Sequence, residues 1–129
     1  MPEILVVDDS FAVRDAVAAF LHDEGYDVST CASAEEAMAQ VAMSLPDLLI
    51  LDGRLPGMSG WQYLALLRQD NRTVHVPVLL FTAAIDDLMR AGRSSDPCTT
   101  YLGKPFDLDE LLAAIRGVIE TCDREAVAV

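Results

Sequence analysis

Apolar and polar positions follow two periods along this chain. Ile4-Leu5-Val6-Val7 is an unbroken apolar run closed by Asp8-Asp9, the pattern of a strand buried on both faces. Val13, Val17, Phe20 and Leu21 then recur at helical spacing until Gly25 ends the stripe. A short second strand is expected at Asp27–Cys31. Ser33-Ala34-Glu35-Glu36 reads as a capping box that opens a helix running to about Met43. Leu48–Leu51 repeats the buried-strand pattern and delivers Asp52 to its end. A Gly- and Pro-rich loop, Gly53–Gly60, leads to a helical stripe at Trp61, Leu64 and Leu67. Val76–Phe81 predicts a fourth strand ending at Thr82, with Pro77 tolerable near its start. A weak, short helix is expected at Asp86–Arg90, a fifth strand at Thr99–Leu102, and a last helix through Leu108, Leu111, Leu112, Ile115, Val118 and Ile119. Asp107 is placed as that helix's N-cap. The reading gives one domain, residues 1–122, followed by a frayed tail, 123–129.

Strands alternating with helices predict an α/β fold, a doubly wound parallel sheet with helices on both faces. Right-handed crossovers bring the carboxyl ends of all its strands to one edge. Ligands bind at that edge in open sheets of this kind.

At 129 residues, 52% hydrophobic and 23% charged, the chain can bury a core and is not intrinsically disordered. No apolar run is long enough to span a membrane, and Met1-Pro2-Glu3 lacks the basic start of a signal peptide. A net charge of −12 repels a polyphosphate backbone, so no direct nucleic-acid binding is expected of this domain. Cys31, Cys98 and Cys122 show no metal-ligand or disulfide-framework spacing and read as buried apolar fillers in a reducing cytoplasm. His22 and His75 are isolated and read as structural. Eight of the nine basic residues are arginine; Lys104 is the one lysine.

Asp8 and Asp9 fall at the first strand's end, Asp52 at the third's, Thr82 at the fourth's, and Lys104 just past the fifth. Taken singly, each has a bland explanation: helix cap, turn, β-former, solvated surface. Together they place three carboxylates on one edge, which repel unless a hard divalent cation balances them. Three Asp and one Lys sum to −2, the charge one Mg²⁺ neutralises. A hydroxyl and an ammonium beside the metal can hold a phosphoryl group, so the chemistry implied is phosphoryl transfer, with an aspartate as a candidate acceptor.

At these residues the sequence resembles the receiver domain of bacterial two-component response regulators, stand-alone and chemotaxis-regulator-like. The motifs are Val6-Val7-Asp8-Asp9-Ser10, the segment Asp52-Gly53-Arg54-Leu55-Pro56-Gly57-Met58-Ser59-Gly60, Leu80-Phe81-Thr82-Ala83, and Tyr101-Leu102-Gly103-Lys104-Pro105-Phe106. The resemblance implies a (βα)5 flavodoxin-like sheet in the order 2-1-3-4-5. It implies Asp52 as phosphoacceptor, and Asp8, Asp9, Asp52 and the backbone carbonyl of Arg54 as Mg²⁺ ligands. Thr82 would bond the phosphoryl group, Lys104 would neutralise it, and Tyr101 would be the aromatic that turns inward as Thr82 moves. A cis Lys104–Pro105 bond is implied as well. The implied partners are a histidine kinase or histidine phosphotransfer protein and an unknown downstream protein. The implied state is a cytoplasmic monomer or weak dimer, not an enzyme beyond self-phosphorylation and autodephosphorylation.

Two places depart from the family pattern: the short fourth helix, and Arg54, large and basic beside the acceptor. Arg54 and Ala84 occupy the positions flanking the path of attacking water, which makes them candidates for setting the phosphoryl lifetime. Other readings are a Mg²⁺-dependent aspartyl-phosphate phosphohydrolase, a receiver cut from a larger hybrid kinase or transcription regulator, an unphosphorylated scaffold, and a flavodoxin-like electron carrier. The hydrolase reading lacks the second acid of Asp-x-Asp at Asp52-Gly53-Arg54. Carboxylates after the first strand would repel a flavin phosphate.

Overall fold

The computed structural model describes residues 2–83 and 96–127. Its strands are β1 (Glu3–Val7), β2 (Asp27–Cys31), β3 (Leu48–Asp52), β4 (Val78–Thr82) and β5 (Thr99–Gly103). The described helices are α1 (Phe11–Asp23), α2 (Ala34–Met43), α3 (Gly60–Leu67) and α4 (Leu108–Val127). The five strands form one parallel sheet in the order β2-β1-β3-β4-β5. This is the doubly wound α/β arrangement expected. Every residue of β3 and β4 is buried, which is why those two strands read as unbroken apolar runs.

Side chains alternate between the two faces with the period of 2 that a strand imposes. Leu5, Val7, Leu49, Leu51, Val78 and Leu80 pack under α2 and α3 against Ala37, Val41, Tyr63, Leu64 and Leu67. Ile4, Val6, Leu48, Ile50, Leu79 and Phe81 pack on the other face against Val17 and Leu21 of α1 and Leu111, Ile115 and Val118 of α4. The sheet is held from both sides, and its carboxyl edge is left for chemistry.

Several local expectations shift. β4 starts at Val78 rather than Val76, because the Val76 amide closes a turn onto the Thr73 carbonyl and Pro77 has no N–H to give. Ser33 caps α2 by accepting from the Glu36 amide, but the Glu36 carboxylate reaches back to the Ala32 amide rather than to Ser33. The full reciprocal capping box is Ser59 with Gln62, opening α3. Asp107 caps α4 as expected, its Oδ1 accepting from the Glu110 amide at 2.7 Å. α4 continues through 123–127, residues assigned above to a tail: Asp-Arg-Glu-Ala-Val contains no Gly or Pro to stop it. The expected short helix at Asp86–Arg90 lies outside the described residues.

The cysteines need a larger correction. Cys98 and Cys122 form a disulfide, their Cα atoms 4.4 Å apart, and Cys31 alone is free and buried. A separation of 24 residues gave no sign of this, because pairing is decided by the topology that lays the start of β5 beside the end of α4. The cysteines therefore do not argue for a reducing compartment. Among the described residues no helix is long and apolar enough to cross a membrane.

Candidate functional site

β1 and β3 are paired neighbours, so their carboxyl ends bring Asp8 and Asp9 to Asp52. One carboxylate oxygen from each of the three lies within 4.8 Å of the others, Asp8 and Asp52 buried and Asp9 exposed. The buried Asp8 accepts from the Ser10 amide at 2.9 Å and from Lys104 Nζ at 3.2 Å. Arg14 donates to the Asp8 carbonyl at 2.7 Å, pinning the turn between β1 and α1.

Asp52 Oδ1 accepts from the Arg54 amide at 3.1 Å, and Oδ2 accepts from Lys104 Nζ at 3.3 Å. Burial pushes the Asp52 carboxyl above its ordinary value and the Asp8 charge adds to this. The Arg54 amide and the Lys104 ammonium oppose the rise without cancelling it. Lys104 comes from the end of β5, where its amide donates to the Thr82 carbonyl at 2.8 Å. The Lys104–Pro105 peptide is cis, as the resemblance implied. Phe106 then stacks on Phe81, and the Lys104 ammonium lies 5.6 Å from the centre of the Phe81 ring. Thr82 is buried at the end of β4, beside β3. Hard oxygen donors this close, two of them taken out of water, fit a hard divalent cation such as Mg²⁺.

The structure thus brings together Asp8, Asp9, Asp52 and Lys104, with Thr82 on the neighbouring strand end. The Arg54 side chain is exposed at the rim. Ala84 lies outside the described residues. Tyr101 is half-buried and stacked on Trp61, ring centres 5.7 Å apart and planes inclined by 19°.

In the sequence pattern Trp61 is one member of a helical stripe; in the fold it lies against the site. Its buried indole Nε1 has no hydrogen-bond partner among the described residues and would lie 2.9 Å from a Cβ at Gly53. In the sequence pattern Gly60 marks only the end of a loop. A Cβ there would sit 2.0 Å from the Asp52 carbonyl oxygen, and the Gly60 amide donates to the Gly53 carbonyl. The start of α3 is therefore pressed directly against the end of the strand that carries Asp52. Its sequence signal was the pair of glycines at 53 and 60, each needed for close approach rather than for a turn.

Residues 4–116 match the family of response regulator receiver domains. The chain belongs to that family. It is 38% identical over 126 residues to the DNA-binding dual master transcriptional regulator RpaA of Synechocystis, covering 96% of this chain and 52% of that protein. It is 33% identical to the phosphate regulon transcriptional regulatory protein PhoB of Rhizobium meliloti, covering 99% of this chain and 56% of the relative. The receiver domain thus spans about half the length of these curated relatives.

Among solved structures it is similar to the Vibrio cholerae chemotaxis protein CheY4. The TM-score is 0.81 at 30% identity, covering 92% of this chain and 98% of that one. It is equally similar to a response regulator from Chloroflexus aurantiacus, with a TM-score of 0.82 at 32% identity and the same coverage. The receiver fold, its signalling class and its strand order are thereby fixed, and the hydrolase and electron-carrier readings lose their footing.

Proposed function

We propose that this receiver takes a phosphoryl group on Asp52 from a histidine kinase or histidine phosphotransfer protein, in a Mg²⁺-dependent reaction, and switches the binding of a downstream protein. The observation that carries this reading is the Asp52 carboxylate, buried at the sheet edge between a second buried aspartate and the chain's one lysine. A carboxylate oxygen of Asp52 attacks phosphorus, the phosphorus–nitrogen bond of the phosphohistidine breaks, and its electron pair stays on the imidazole, which takes a proton. The product is an acyl phosphate.

Asp8, Asp9, Asp52 and the Arg54 carbonyl are the residues that would hold Mg²⁺, which when bound supplies positive charge to the transferring oxygens. Lys104 turns from Asp52 Oδ2 toward the phosphoryl oxygens, and the Thr82 hydroxyl donates to one of them. Tyr101 follows Thr82, leaving or tightening its stack on Trp61. The domain is then a switch with a self-limited lifetime, not an enzyme acting on outside substrates.

A second reading concerns the whole protein. Because the chain spans about half of relatives named as transcriptional regulators, it serves equally well as the input half of a longer DNA-binding regulator. The net charge of −12 argues that any nucleic-acid contact would belong to another part of such a protein. On the first reading the receiver works in the cytoplasm, as a monomer or weak dimer.

The test is intact mass after incubation with Mg²⁺ and a small phosphodonor. One phosphoryl adduct is expected on the parent, none with EDTA and none on Asp52→Ala. An adduct that survives in Asp52→Ala would place the acceptor elsewhere.

A further inference from the structure

The Cys98–Cys122 bridge lies at the edge of the sheet opposite Asp52. Cys98 immediately precedes β5, whereas Asp52 ends β3 in the same parallel sheet. We infer that this pair is a thiol–disulfide exchange site, a redox input to the domain separate from its phosphoryl input, with the end of α4 as the part it controls.

Cys98 is held whether or not the bridge exists. Its amide donates to Asp96 Oδ1 at 2.9 Å, and its carbonyl accepts from the Val78 amide at 2.8 Å and from Arg68 Nη2 at 3.0 Å. Cys122 is different. After Val118, it is the one buried side chain among the described residues of α4, and the bridge ties it to the sheet. Gly117, a weak helix former, sits just before this stretch. Without the bridge, the last turns are free to fray; with the bridge intact, transient local opening of the α4 end beyond Gly117 is what admits an external thiolate to the buried sulfurs.

The reduced state also has a place prepared. Cys122 Sγ lies 3.2 Å from the His75 carbonyl oxygen. In the disulfide this sulfur carries no proton. In the dithiol, the Cys122 S–H can donate to that carbonyl, so reduction leaves no new unpaired group.

The exchange balances with a thiol of the glutathione class as reductant. A thiolate attacks Cys98 Sγ, the S–S bond breaks, and Cys122 leaves as a thiolate that takes a proton. A second thiolate attacks the external sulfur of the mixed disulfide, releasing the oxidised reagent and Cys98 as a thiol. Two electrons pass from the reagent to the protein, and oxidised glutathione drives the reverse.

The experiment equilibrates the folded chain, carrying Cys31→Ser to leave only this pair, in glutathione buffers of graded redox ratio without denaturant. Samples are quenched in acid, alkylated in denaturant and weighed. The expected result is a reversible change from no alkyl adducts to two as reduced glutathione rises. Amide exchange at residues 119–127 should rise at least tenfold in the reduced form and in Cys98→Ser/Cys122→Ser. The extent of Asp52 phosphorylation should change by less than twofold. A pair that stays oxidised in every native buffer, that never oxidises, or that leaves amide exchange unchanged would overturn the proposal. Loss of phosphorylation alone would count against the separation of the two inputs.

Discussion

Lys104 Nζ lies 3.3 Å from Asp52 Oδ2, with its other contact 3.2 Å away on Asp8, so one ammonium balances two buried carboxylates. Removing it leaves two like charges facing each other out of water. Lys104→Met is expected to lose about 1–3 kcal/mol of stability in metal-free buffer, the usual cost of stranding a buried polar group. Saturating Mg²⁺ should recover part of this. Lys104→Arg should not restore phosphorylation, because a planar fork cannot occupy the place of a compact ammonium. Urea titration in EDTA and in Mg²⁺ reads the first effect. If Lys104→Met is as stable as the parent in EDTA, the ammonium does not balance the pair.

Gly60 and Gly117 make opposite predictions from the same substitution. An alanine Cβ at Gly60 meets the Asp52 carbonyl at 2.0 Å, and at Gly117 it meets nothing. Gly60→Ala should cost about 3 kcal/mol, at the upper end for overpacking, and should shift the end of β3 with Asp52. Gly117→Ala should add roughly 0.5–1 kcal/mol in the middle of a helix. Equal midpoints in thermal denaturation would show that α3 and β3 are not in close contact.

What could be read in advance follows the range of each signal. Buried parallel strands announce themselves as apolar runs, so Ile4–Val7 and Leu48–Leu51 gave the sheet and its site edge. Asp8, Asp9, Asp52, Thr82 and Lys104 could be placed on one edge because the carboxyl ends of parallel strands converge by topology alone. Contacts between distant segments carry no such periodicity. The Cys98–Cys122 bridge and the Trp61–Tyr101 stack depend on how α4 and α3 settle on the sheet, and neither pair is marked in the sequence. The boundary of β4 was missed for a local reason, the turn that uses the Val76 amide before Pro77.

The stack of Tyr101 on Trp61 gives the switch an optical reporter. A ligand can shift a two-state equilibrium only by the contacts that differ between the states, and in the proposed switch the differing contact is the Thr82 hydroxyl on the phosphoryl group. Phosphodonor with Mg²⁺ should therefore change Trp61 emission in the parent. Thr82→Ala should accept phosphate to a similar extent yet show less than half of that change. A full emission change in this variant would remove Thr82 from the coupling.

Arg68 ties the underside of the fold together. It donates to Asp96 Oδ2 and Thr99 Oγ1, each at 2.7 Å, and to the Val76 carbonyl at 2.8 Å. Arg68→Lys keeps the charge but loses the fork and should cost about 2–3 kcal/mol, since several partly buried acceptors lose their donor. Burial alone would raise the Asp96 carboxyl. Hydrogen bonds from Thr99 and the Cys98 amide, together with the Arg68 charge, outweigh it and hold Asp96 below its ordinary value. A carboxylate lowered by folding stabilises above its unfolded pKa, and that contribution fades as pH falls through the folded one. The stability gap between parent and Asp96→Asn should therefore be full at neutral pH and shrink below the ordinary aspartate range. A gap that does not change between neutral and acid pH would contradict this origin.

On the proposed function, Arg54 is expected to set how long an acyl phosphate on Asp52 lasts. Its amide is fixed on Asp52 Oδ1, so the exposed guanidinium starts two residues from the acceptor at the rim of the site. From there it can lie across the phosphoryl oxygens and screen the line along which water attacks. The opposing view is that a guanidinium stabilises charge in the transition state, as arginine fingers do. The distinction lies in when the contact forms. A group anchored beside the acceptor reaches the phosphoryl oxygens already in the ground state, and binding both states equally gives no acceleration. Screening then dominates. Arg54→Ala and Arg54→Asn should each lose phosphate faster at fixed Mg²⁺, by about fivefold, the kinetic equivalent of one hydrogen bond of roughly 1 kcal/mol. Asparagine, which can hold a water, should be the faster of the two. Phosphate loss followed by intact mass in both variants distinguishes the views, because an accelerating arginine requires that both become slower than the parent.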